Sequence, residues 1–369
     1  MFSLEAGFNR PAFSFLCFVL KKIIVLKKIL FAILLLVLIL AILYRDLLSY
    51  GWMQAKGQIG ILWNVEDVTD VLKDPSFPDS LKSRIRLIEE IKKFGVDSLG
   101  LTPSKNYTTF YNQHGKPLIW VITASDRYRI KAHLWKFPIL GTFPYKGYFD
   151  STRAVREEKV LIDQGFDTDI GEVSAWSTLG YLKDPILSSM LKRKEGSLAN
   201  LILHELTHGT LFVKNDLELN EHLASFVGDL GAIRFLTQKY GTGSKELKAY
   251  EYSKKYNDAY AQHILRGVGK LDSLYKTFGS NMSPEPGKDT LKRNLILKIL
   301  TDADTLLGNK NTLKSNSYWE KHPLPNNAYF ISYQTYKSKQ NAFKKEYEIK
   351  FGGNFKKYLS YLKEKYPSL

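Results

Sequence analysis

A chain that carries His204-Glu205-Leu206-Thr207-His208 and, thirteen residues further on, Asn220-Glu221 has few ways to fold around them. Positions four apart lie on one face of a helix, so His204 and His208 present two imidazoles to one point. Glu205 is one residue round from the pair, turned aside but still within reach of a water at that point. This is the spacing in which a His pair holds zinc and the Glu serves as general base. Apolar residues flank the motif (Leu198, Leu201, Ile202, Leu211, Phe212, Val213), and Ser197 is the expected N-cap. Lys214-Asn215-Asp216 interrupts the pattern, which resumes at Leu217 and runs to Ile233. Two helices joined by so short a turn pack antiparallel. Glu221 then faces His208 across the seam as a third ligand, and Ala224 leaves room for close approach. Three protein ligands leave a fourth tetrahedral position open, as catalytic sites require, whereas structural zinc sites are rich in thiolates. The only thiol is Cys17, ahead of the apolar run described next. The expectation is one Zn(2+) per chain on His204, His208 and Glu221.

Ile29 to Tyr44 is sixteen residues without a charge, and counting back to Ile23 gives twenty-two, with Lys27 and Lys28 able to snorkel. No small-residue cleavage site follows Tyr44, so the run reads as an uncleaved signal anchor over 29–48. The lysines before it place residues 1–28 in the cytoplasm and the remainder outside. Of the formal charge of +16, the first 44 residues supply +4 (Arg10, Lys21, Lys22, Lys27 and Lys28 against Glu5), leaving a basic body. Its lysines are scattered along helices and no nucleic-acid motif accompanies them, so a solvated basic surface is expected and no nucleic-acid partner. The lipid bilayer is the expected partner of the N-terminal helix.

The remainder, 49–369, reads as one domain. Helical spacing predicts helices over 52–73 and 79–95, split by Asp74-Pro75 and Pro78. Leu118–Thr123 reads as a buried strand, Pro138–Phe149 as strand and turn, 151–164 as helix, and Phe166–Thr178 as strand with a break near Gly171. From Asp184 onward the pattern is mostly helical, including 245–278, 288–307 and 338–365. A small sheet before the metal helix and helices after it define a helix-dominated α+β fold. Ser177 and Thr178, ahead of a flexible Gly180, suit either the lip of a cleft that binds an extended peptide or an ordinary strand end. Asn326-Asn327, after Pro325, reads as an N-cap pair or as amide donors to a substrate. Tyr145, Tyr148, Tyr181 and Tyr333 are phenols able to steady an oxyanion, with nothing to choose between them. His222 beside Glu221 points away from the ion, and His114, His133, His263 and His322 lack ligand spacing.

Several segments extend the pattern in order along residues 50–340: Gly51-Trp52-Met53-Gln54-Ala55-Lys56-Gly57-Gln58, Pro144-Tyr145-Lys146-Gly147-Tyr148-Phe149, Ala175-Trp176-Ser177-Thr178-Leu179-Gly180-Tyr181, Asp184-Pro185, the His-Glu-Leu-Thr-His helix, Asn220-Glu221 and Asn326-Asn327-Ala328. On these residues the chain resembles the bacterial predicted-aminopeptidase family, gluzincin-type proteins commonly tethered to the cell envelope. The resemblance implies a zincin-like catalytic domain, ligands at His204, His208 and Glu221, and a catalytic Glu205. It tips Ser177, Thr178, Gly180 and Asn327 toward peptide binding. Trp176 departs from the family's Tyr, and the N-terminus lacks the lipoprotein signal of many relatives. The expected function is zinc-dependent peptide hydrolysis, as an aminopeptidase anchored in the inner membrane with its catalytic domain on the periplasmic side. The alternative is a metal-containing peptide-binding or envelope scaffold without turnover. The intact Glu205 weighs against the alternative, because a binder needs the His pair but no base.

Overall fold

The computed structural model describes residues 10–137, 141–172, 183–214, 216–279, 285–306, 316–337 and 340–366. The chain divides into two compact units, Met1–Ile59 and Gly60–Leu369. The first is helical. Helix α1 (Arg10–Leu43) contains Lys22–Leu43, 22 residues of mean hydropathy 3.0 with none of that stretch buried, which have the length and composition of a membrane span. Its hydrogen-bond ladder passes through Tyr44, whose N–H donates to the Leu40 carbonyl at 2.9 Å, and continues into α2 (Arg45–Trp63).

In the second unit the expected helix over 52–73 is broken. After α2 come a two-residue strand, β1 (Glu66–Asp67), and a separate short helix, α3 (Val68–Lys73). Asp67 is the reason: its carboxylate accepts from the Thr69 N–H at 2.9 Å and starts a new helix. Helix α4 (Asp79–Asp97) follows, then β2 (Thr109–Tyr111), β3 (Trp120–Asp126), β4 (Trp135–Phe137), β5 (Gly141–Phe143), β6 (Tyr145–Tyr148), α5 (Ser151–Asp163) and β7 (Phe166–Glu172), which runs on through Gly171. Strand β8 (Ile186–Leu187) and a 3-10 turn (Met190–Lys192) precede α6 (Glu195–His208) and α7 (Leu217–Tyr240). The C-terminal part is helical: α8 (Lys245–Lys276), α9 (Pro286–Ala303), α10 (Asn316–Lys321), α11 (Asn327–Lys337), α12 (Gln340–Phe351) and α13 (Phe355–Lys365). The single helix read over 338–365 is interrupted at Gly352 and Gly353, both at positive φ (55° and 80°) that only glycine adopts readily.

Among the described residues three small sheets form. Their strand orders are β1-β2-β8, β6-β3-β7 and β4-β5. The middle one is antiparallel throughout and carries the register Tyr145–Thr123–Asp169 across its three strands. One core joins α4, α6, α7, α12 and α13, with Ile88, Ile91, Leu203 and Val227 fully enclosed. A second joins α8, α9 and α11 around Tyr128, Ile264, Leu271 and Phe330. Helices therefore dominate this α+β fold, as the pattern of the sequence required.

Helices α6 and α7 pack along most of their length. The seam is made by small residues: Ala224 is fully buried, and a Cβ on Gly228 would lie 2.8 Å from the Asn200 carbonyl oxygen and 3.3 Å from the His204 Cβ. Gly228→Val should therefore push α7 off α6. We expect a loss of about 1–3 kcal/mol of stability, with metal affinity about 10–100-fold weaker as the seam opens. Gly243→Ala, at a site with nothing within 4 Å, should leave both unchanged. Thermal melts and metal titration of the two variants check this.

Candidate metal centre

The start of α6 is fixed by Arg84 of α4. Its guanidinium donates to the Leu191 carbonyl at 3.3 Å and to the Arg193 carbonyl, and pairs with Glu195 at 3.4 Å. This tie starts the helix at Glu195, with Lys194 as its cap, so Ser197 lies within the first turn and is not the N-cap that the sequence suggested. The end of α6 is also held. Thr210 accepts from the Thr102 N–H at 3.0 Å and donates to the Leu206 carbonyl at 2.8 Å.

Between these ends His204 and His208 stand one turn apart, ring centroids 4.9 Å from each other and ring planes at 83°. Their Nε2 atoms are 3.3 Å apart. Glu221 of α7 reaches across the seam, Oε2 at 3.5 Å from His204 Nε2 and Oε1 at 3.6 Å from His208 Nε2. Ligands ~2.0–2.1 Å from a tetrahedral ion stand roughly 3.3–3.4 Å from one another. The three pairwise separations fall close to that figure, so the donor set has both the composition and the spacing for a zinc-sized cation. All three side chains are largely withdrawn from water, His208 the most. Burial first, and the neighbouring His204 second, push the His208 imidazole down to about 4, so it is neutral at physiological pH, which is the form that binds metal. Burial alone would raise the Glu221 carboxyl; the hydrogen bond from His204, with the nearby imidazoles of His208, His204 and His222, outweighs it and lowers the pKa.

Asn220 explains why Glu221 arrives at this point. Its carboxamide accepts from the Val213 N–H and donates to the Val213 carbonyl, both at 2.8 Å, closing the α6–α7 connection on itself. Asp216 caps α7 through the Leu219 N–H at 3.0 Å. The roll of α7 about its axis is thereby set one residue before the ligand. The sequence marked Asn220 only as a neighbour of Glu221; a buried amide beside a ligand was the available signal.

Glu205 is half-buried on α6, and its charge acts on Tyr107, whose pKa is raised well above the usual phenol value by burial first and then by Glu205 and Asp184. The Tyr107 hydroxyl is fully enclosed and has no hydrogen-bond partner among the described residues. Burial, then the Glu221 charge, push the Tyr145 phenol up to about 12. His222 is fully buried.

The remaining predicted site residues fare differently. Ser177, Thr178 and Gly180 lie outside the described residues, as do Trp176 and Tyr181. Asn327 is fully buried, and its amide N–H groups donate to the carbonyls of Asp126, Arg127 and Arg129, while its oxygen accepts from the Tyr275 hydroxyl. In this arrangement Asn327 ties α11 to α8 and to the end of β3 and the loop that follows it. Asn326 supplies the cap, accepting from the Ala328 N–H at 3.0 Å.

The structure thus defines a helix-dominated α+β protein with a His-His-Glu cluster set between two antiparallel helices. No curated protein and no solved structure matches the chain. It belongs to the family described as "Putative aminopeptidase", which matches residues 49–365.

Proposed function

We propose that this protein is a membrane-anchored, zinc-dependent aminopeptidase. The observation that carries the reading is the convergence of His204, His208 and Glu221 at the spacing of tetrahedral ligands, with Glu205 adjacent on the same helix, in a member of a family described as aminopeptidases. Zinc held there would bring the pKa of a water toward neutrality and polarise the scissile carbonyl. Glu205 takes a proton from the attacking water and delivers it to the leaving amine. The α6–α7 seam and the Asn220 clasp keep the two imidazoles and the carboxylate in place through the cycle, so none of them reorganises as charge develops. The Lys22–Leu43 helix is the anchor, with its lysines on the cytoplasmic side and the catalytic unit outside.

The test uses the full chain in detergent and a mixed peptide library of free and N-acetylated members, followed by mass spectrometry. Stepwise loss of single N-terminal residues is expected, blocked by acetylation, abolished by a chelator and restored by zinc. Internal cleavage of acetylated peptides would make the protein an endopeptidase. No turnover with zinc bound would leave a scaffold.

A further inference from the structure

We propose that the helical face running from Tyr44 through Leu48 to Trp52 is a lipid-contact surface, with the Trp52 indole seated in the headgroup layer at the end of the span remote from Lys22. This surface presupposes the membrane-anchor reading above. Tyr44, Leu48 and Trp52 stand four apart and so share one side of the helix. They are 55%, 55% and 70% exposed, and they prolong the bare apolar surface of Lys22–Leu43. Single apolar residues scattered on a surface need no partner, but a contiguous row that extends a membrane span does. The row ends at Lys56, the next residue on that side, which is exposed.

The heights fit one layer. Backbone bonds from Tyr44 to Leu40 and from Leu48 to Tyr44, both 2.9 Å, carry the helix on past Leu43, and all of these residues belong to the first compact unit. At 1.5 Å per residue the Trp52 Cα stands about 13 Å beyond Leu43. A helical side chain covers the turn before its own Cα, so the indole lies roughly 5 Å lower, about 8 Å from the end of the span. The headgroup region is roughly 5–8 Å deep on each side of a ~30 Å hydrocarbon core. An indole is favoured there because its ring meets acyl chains while its N–H meets polar headgroups. The charges of this segment agree with that occupant. Arg45, seven residues before Trp52 and on the same side, pairs with Asp46 at 3.7 Å and falls within the layer, where phosphates accept its remaining N–H groups. A second copy packed in parallel along this side would instead set Arg45 against Arg45 and Lys56 against Lys56.

The test reconstitutes the full chain in phosphatidylcholine vesicles and reads tryptophan emission, taking the Trp52 share as wild type minus Trp52→Phe. Lipids brominated on the acyl chain close to the headgroup should remove most of that share, and lipids brominated near the chain end should remove little. Trp52→Cys, in a chain that also carries Cys17→Ser, should give no cross-linked pairs on oxidation. A Trp52 share that neither lipid quenches overturns the proposal: without cross-linked pairs the residue faces water, and with them a second copy covers it. A chain that carbonate washes off the vesicles loses the anchor reading as well. A chain that resists the wash while Trp52 stays unquenched keeps its anchor and loses only this surface.

Discussion

Glu205→Gln should hold one zinc per chain and lose about 10²–10⁴-fold in peptide turnover, the range that a positioned general base contributes. The amide keeps the shape of the side chain but cannot accept a proton, and Glu205 is not among the three converging donors. Metal analysis and turnover measured on the same preparation separate the two properties. A Glu205→Gln enzyme as active as wild type would exclude the mechanism given above. A variant that lost the metal as well would instead make Glu205 a ligand.

Removing a ligand should do more. Glu221→Ala takes away the one donor of the three that α7 contributes and leaves two imidazoles with ring nitrogens 3.3 Å apart. Zinc occupancy should fall sharply and turnover should vanish, with His204→Ala and His208→Ala behaving alike. Excess zinc should restore less activity to these variants than to a chelated wild type. Normal zinc binding by Glu221→Ala would place the third ligand elsewhere.

The helix pair was legible in the sequence because the candidate cluster is local. Eighteen residues hold all three donors, and the i, i+4 spacing with apolar flanks dictates both helices and their antiparallel order. The small-residue seam was legible in part, from Ala224, but Gly228 gains meaning only when Asn200 is placed opposite it. What escaped depends on partners distant in sequence. Ser197 reads as a cap until Arg84, more than a hundred residues earlier, fixes the start of α6. Asn327 reads as a cap or a free amide until the loop after β3 is brought against it. The break between α2 and α3 hangs on a two-residue strand, whose pairing with β2 no periodicity reports.

The tie at Asp167 also bears on the order in which the chain can mature. The carboxylate accepts from Lys292 and, at 3.0 Å, from the Asn327 N–H, partners 125 and 160 residues further along. All three residues are buried. A carboxylate enclosed without its cation is strongly destabilising, about 3–5 kcal/mol by the usual cost of halving a buried pair. During synthesis, the end of β7 that carries Asp167 must therefore stay hydrated until Lys292 and then Asn327 have emerged. Helices α6 and α7 are complete well before that moment. A nascent chain stalled between the two events presents a finished helix pair on an unfinished sheet.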